Sequence, residues 1–86
     1  MKTFYVMTQN AWRVKHYVIV ARGISDAQKT ASVYAYCDRS RYADIWSANG
    51  LHLSTIQACE NGRGYIPVYT TDKTRVNLTA EERATW

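Results

Sequence analysis

The sequence predicts an α+β domain. Its expected form is an antiparallel sheet of four to five strands packed on one main helix. The order is strand, strand, helix, strand, strand, strand, with a short helical turn near the C-terminal end. Three observations carry this. Two apolar, strand-forming runs, 3–8 and 14–22, are separated by a short break that begins with Gln9-Asn10. A segment from Ser25 to about Cys37 sets Ala27, Ala31, Tyr34 and Ala35 at helical spacing. Asn49-Gly50 then stands between two further runs, and both residues tolerate the positive φ of a tight hairpin turn.

In Thr3–Thr8, Phe4 and Val6 share one face and Tyr5 and Met7 the other, the period of a strand. Gln9-Asn10-Ala11 breaks the run. Val14–Arg22 follows, with Tyr17-Val18-Ile19-Val20-Ala21 apolar on both faces. Such a strand is expected to be covered on both sides, or to lie centrally and be covered in part. The short link makes the pair an antiparallel hairpin. Gly23 ends the second strand. Ser25-Asp26-Ala27-Gln28 reads as a capping box that opens the helix, with Asp26 at the positive end of its dipole. The small alanines let this helix lie close to a sheet. Asp38-Arg39-Ser40-Arg41 connects it to the next element.

Residues 41–49 admit two readings. The Asn49-Gly50 turn makes 42–47 and 51–59 paired strands. The rival places Tyr42, Ile45 and Trp46 on one face of a helix stopped by Gly50. The hairpin is preferred. Glu60-Asn61-Gly62-Arg63-Gly64 is a second turn, and 65–70 a last strand. Pro67 cannot donate to a ladder, so that strand belongs at an edge, where it offers a route to pairing two copies. Residues 1–70 are thus read as one domain. Residues 71–86 are read as a polar tail in which Thr79-Ala80-Glu81-Glu82 caps one helical turn.

The net charge is +4, and seven of the eleven basic residues are arginine, which suits an acidic partner. Seven tyrosines against one phenylalanine suit half-exposed strands and contact surfaces. No run reaches the roughly 20 apolar residues of a membrane span, and the apolar start is too short for a signal peptide. A cytoplasmic protein with Cys37 and Cys59 reduced is therefore expected.

The predicted order also sets where the charges meet. A helix of about 12 residues spans roughly 18 Å, and a six-residue strand spans roughly 20 Å. The helix therefore returns to the level of the first hairpin loop. The tips at 9–14, 38–41 and 60–64 become neighbours and bring together Trp12, Arg13, Lys15, Arg39, Arg41 and Arg63. A tryptophan beside arginines is a typical hot-spot composition. The plainer alternative is that loops are wet, and that Arg39 and Arg41 only complement the helix dipole.

Catalytic signatures are missing. Cys37, Cys59, His16 and His52 have no zinc-type spacing, so no metal or other cofactor is expected. His16 reads as a strand residue, and His52, near a turn, as an exposed one. Cys37 ends a helix, where the dipole disfavours a thiolate. The carboxylates are scattered, and Gly62-Arg63-Gly64 is not followed by the lysine of a phosphate loop. A binder is expected, not an enzyme.

The run from Tyr17 to Ala21 closing a hairpin, then Ser25-Asp26-Ala27-Gln28-Lys29-Thr30-Ala31-Ser32, then Ile45-Trp46-Ser47-Ala48-Asn49-Gly50-Leu51-His52-Leu53 give a layout that covers about residues 4–69. In that layout the chain resembles the small type I anti-CRISPR proteins of phages, which fold an antiparallel sheet around one helix. The resemblance implies an inhibitor that binds a subunit of a bacterial host's CRISPR surveillance complex. It carries over no site residue. A small basic nucleic-acid-binding module, with tyrosines stacking bases and arginines holding phosphates, is the alternative expectation.

Overall fold

The computed structural model describes residues 1–60, 62, 64–68 and 77–86. Five strands form one antiparallel sheet: β1 (Lys2–Gln9), β2 (Val14–Ala21), β3 (Tyr42–Ser47), β4 (His52–Ala58) and β5 (Tyr65–Val68). The spatial order is β2-β1-β3-β4-β5. Helix α1 (Ile24–Cys37) crosses one face between β2 and β3, and a short α2 (Ala80–Ala84) lies near the C-terminal end. The α+β class is as expected, and residues 42–47 form a strand, not a helix.

Alternation builds the core. Phe4 and Val6 of β1, Ile19 and Ala21 of β2, Ala43 and Ile45 of β3, and Ile56 of β4 all turn toward α1. They meet Ala27, Ala31 and Ala35, the buried stripe of the helix. Methyl-sized side chains on that stripe bring the helix backbone close to the sheet, as the sequence implies. Tyr34 stands beside the stripe and stacks on Tyr17 with ring centroids 4.2 Å apart.

The opposite face of the sheet has its own cover. Trp46 is buried there, and Trp86 stacks on His16 with centroids 4.2 Å apart and meets Tyr5 and Trp46 edge-on. The Trp86 indole N–H donates to Tyr17 O at 2.9 Å. Residues 77–86, read from sequence as part of a polar tail, therefore lie against the sheet. Their capping box is present, with Thr79 Oγ1 accepting from the Glu82 N–H and Glu82 Oε1 from the Thr79 N–H. Leu78 is buried, its N–H donating to Gly50 O at 2.7 Å. Arg83 Nη1 donates to Asn49 O at 2.6 Å.

Three expectations need correction. The Ser25 capping box does not form. Helix α1 starts at Ile24 behind Gly23, with no side-chain cap. Asp26 instead accepts from the Arg22 N–H at 3.1 Å, and Gln28 Nε2 reaches Ser54 Oγ at 2.9 Å. With the helix starting at Ile24, Gly23 takes the N-cap position and Ser25 falls inside the first turn. β2 is an edge strand, not a central one, and Val18 and Val20 stand open to solvent while Ile19 and Ala21 are covered by α1. His52 is largely enclosed, its Nε2 lying 3.2 Å from the buried Asp44 Oδ1.

Candidate partner-binding end

Two of the three predicted tips are joined by direct hydrogen bonds. The hairpin loop between β1 and β2 is organised by Asn10. Its Oδ1 accepts from the N–H groups of Trp12 and Arg13, both at 2.9 Å, and its Nδ2 donates to Asp38 O at 2.8 Å. This is an Asx-type turn that fixes the tip from within while tying it to the end of α1. Ser40, buried beside it, donates its hydroxyl to Gln9 O at 2.7 Å and accepts from the Gln9 N–H at 3.0 Å.

Asp38 is the centre of the end. It follows the last residue of α1, where the helix dipole opposes a carboxylate. The opposition is met by donors. Thr8 Oγ1 lies 2.8 Å and the Tyr17 hydroxyl 2.6 Å from its Oδ2, and Lys15 Nζ lies 3.3 Å from its Oδ1. Burial pushes the Asp38 carboxyl up, but the hydrogen bonds from Tyr17 and Thr8 and the Lys15 ammonium outweigh it and hold it below the usual value of 3.8. Burial first, then the bond to Asp38, pushes the Tyr17 phenol up to about 12.

Arg39 takes the left-handed conformation, φ 54°. The N–H groups of Arg39 and Ser40 donate to Tyr36 O and Ala35 O at 3.1 and 2.8 Å, a Schellman ending for α1. Glycine is the usual residue at this position, because a Cβ there costs about 1 kcal/mol. The third tip joins through β4 and β5. The Ala58 N–H donates to Arg41 O at 2.8 Å, the Cys59 N–H to Gly64 O at 2.8 Å, and the Tyr65 hydroxyl to Ser40 O. Burial, and then the neighbouring Tyr36, raise the Tyr65 phenol.

The predicted residues divide in their roles. Trp12 is 83% exposed at the tip, and Arg13, Arg39 and Arg41 are exposed at the same end of the sheet. None of these three arginines makes an ion pair among the described residues. Lys15, its side chain 36% exposed, is paired with Asp38. Arg63 lies outside the described residues. Two exposed aromatics of this end, Tyr36 at 77% and Tyr42 at 46%, escaped the sequence reading. Tyr36 sits outside the alanine stripe on the last turn of α1, a position that signals exposure. Asp38 was also missed, although a carboxylate just past a helix C-terminus is itself a sign that donors must be near.

On the other face, Asp44, His52 and Thr55 form a polar triangle. Thr55 Oγ1 donates to Asp44 Oδ1 and lies 3.2 Å from His52 Nε2, the same nitrogen that faces Asp44. A nucleophile relay needs hydroxyl and carboxylate on opposite ring nitrogens, so this triangle does not have that geometry. Its members join β3 to β4 beside the register shift at Ile45/Trp46. Among the described residues, no group of three His, Cys, Asp or Glu side chains could hold a metal ion, and no helix is long and apolar enough to cross a membrane.

In comparisons with known proteins, no family model, no curated protein and no solved structure matches the chain.

Proposed function

We propose that this chain is a non-enzymatic binding protein that docks its basic, tryptophan-bearing end on an acidic protein surface. Following its resemblance to type I anti-CRISPR proteins, we take that surface to belong to a subunit of a CRISPR surveillance complex in the cytoplasm of a bacterial host. The observation that carries the binding reading is Trp12, 83% exposed on a tip whose backbone Asn10 holds in place. A large indole left in water gains most by burial against a partner. A tip already ordered loses little further entropy on docking.

Arg39 supports the same reading. A residue kept in the left-handed region where glycine would be less strained points to a role for its side chain. The charge itself is modest. Arg13, Arg39 and Arg41 together would neutralise only about three phosphates, a small footprint for nucleic acid. Most of the affinity is therefore assigned to Trp12 and to the exposed Tyr36 and Tyr42 of this end.

The test is a pull-down from lysate of a bacterium carrying a type I system, at low and high salt, with and without nuclease. Stoichiometric recovery of a surveillance-complex subunit under all four conditions is the expected result. Recovery of nucleic acid alone, lost at high salt, would replace this reading with the nucleic-acid-binding one.

A further inference from the structure

The two edges of the sheet are unlike. β5 has four residues, and Pro67 removes one N–H from it. β2 has eight residues, no proline, and pairs with β1 in unbroken register from Lys2↔Ala21 to Gln9↔Val14. Its one lysine, Lys15, is drawn to Asp38. On the face away from α1 its side chains include Val14, Val18 and Val20, which are 46%, 58% and 57% exposed. Long free edges are usually blunted by charge, proline or a bulge, and the outer side of β2 has none of these.

The phase of the ladder shows what that edge offers. The Asn10 N–H donates to Arg13 O at 3.0 Å, which makes Asn10 and Arg13 a hydrogen-bonded pair. Alternation along an antiparallel ladder then turns the backbone groups of Lys15, Tyr17, Ile19 and Ala21 toward β1. It turns the N–H and C=O groups of Val14, His16, Val18 and Val20 outward.

We propose that β2 pairs with β2 of a second copy of this chain, antiparallel, about a two-fold axis through Tyr17. That register sets Val14 of one copy opposite Val20 of the other, and His16 opposite Val18. Every outward N–H and C=O of those four residues then finds a partner, and valine meets valine at both ends of the seam. Sliding the strands by two residues leaves outward groups of each strand unmatched within β2. The spacing is self-complementary, with exposed valine opposite exposed valine, and so fits a second copy as the occupant. The axis sends the two Trp12-bearing ends in opposite directions, so both stay free. A strand-edge contact falls in the small size class of interfaces, so the association is weak, with a micromolar Kd.

The test is sedimentation of the full chain from low to high micromolar concentration, with amide hydrogen exchange at both limits. The weight-average mass is expected to rise from 9.9 kDa toward twice that value. Exchange at Val14, His16, Val18 and Val20 is expected to slow about tenfold in the concentrated sample. Val18→Lys, at an exposed position, is expected to stay monomeric with an unchanged melting temperature. If it loses its fold, Val20→Lys provides the same readout. A mass that stays at 9.9 kDa throughout overturns the proposal. So does a dimer that survives both lysine variants, a dimer whose four outward amides still exchange fast, or an edge taken only by an extended peptide of another protein.

Discussion

The Tyr17 hydroxyl donates to Asp38 Oδ2 at 2.6 Å across a separation of 21 residues, and so joins the middle of β2 to the residue that ends α1. Through Asp38 the same link reaches Thr8, Lys15 and, by the backbone, Asn10. Asp38 thus ties the hairpin that carries Trp12 to the turn that carries Arg39, by its carboxylate to β1 and β2 and by its carbonyl to Asn10.

This pair predicts two limits of pH. The Asp38 carboxyl is held below 3.8, so its contribution to stability is present above that value and is lost as pH falls through its folded pKa. Tyr17 is raised from 10.0 to about 12, so its contribution is present below pH 10 and is lost as pH rises toward 12. Asp38→Asn is expected to cost about 1–3 kcal/mol at neutral pH. It should flatten the acid limb and pull the alkaline limb only partly back, because burial of Tyr17 remains. Denaturant midpoints measured across the pH range check this; an acid limb unchanged in the variant would mean other carboxylates set it.

Arg39→Gly separates stability from function. Glycine relieves the Cβ strain at φ 54° while keeping both backbone bonds of the Schellman ending. A gain of about 0.5–1 kcal/mol in unfolding free energy is expected, together with weaker partner binding. Thermal melts and titration of the partner check the two effects independently. A variant that gains stability and binds as before would remove Arg39 from the interface.

Trp12→Ala should leave the melting temperature within the small range of surface substitutions, about 0.5 kcal/mol either way. Among the described residues its indole makes no ring contact, and the backbone bonds to Asn10 do not depend on its side chain. Partner affinity should fall by at least about tenfold, the scale of a hot-spot residue. A large loss of stability would show that the indole belongs to the fold.

Much of this arrangement was legible in the sequence because local chemistry and tertiary packing agree there. Phe4 and Val6 alternate as β1 requires, Ala27, Ala31 and Ala35 mark the buried helix stripe, and Asn49-Gly50 turns the β3–β4 hairpin. The convergence of the tips followed from the order, direction and lengths of the elements. The failures have physical causes. Ser25 had the right spacing for a cap, but spacing does not reveal that Asp26 and Gln28 find partners in Arg22 and Ser54. Apolar residues on both faces of β2 were read as a sign of cover, yet Val18 and Val20 lie at an edge. Strand order is a long-range property, and a strand's own pattern does not carry it. The place of Trp86 on the far face depends in the same way on contacts such as the bond to Tyr17, 69 residues away in the chain.

The Trp86 contact can be tested through a distant glycine. Gly50 has φ 85°, and a Cβ placed on it would strike Leu78 O and the Arg83 guanidinium. Gly50→Ala is therefore strained in its backbone and also displaces the point where residues 77–86 meet the β3–β4 turn. A cost of about 2 kcal/mol or more is expected. Trp86→Ala removes a half-buried ring stacked on His16 and edged by Tyr5 and Trp46, and should cost about 1–3 kcal/mol. Both substitutions act on the same segment, so their effects should not add: the double variant should fall short of the sum of the two single losses by about 1 kcal/mol or more. Equilibrium unfolding of the four proteins of this cycle gives the coupling directly. Strict additivity would mean that Trp86 holds its place on the sheet without help from the Gly50 turn.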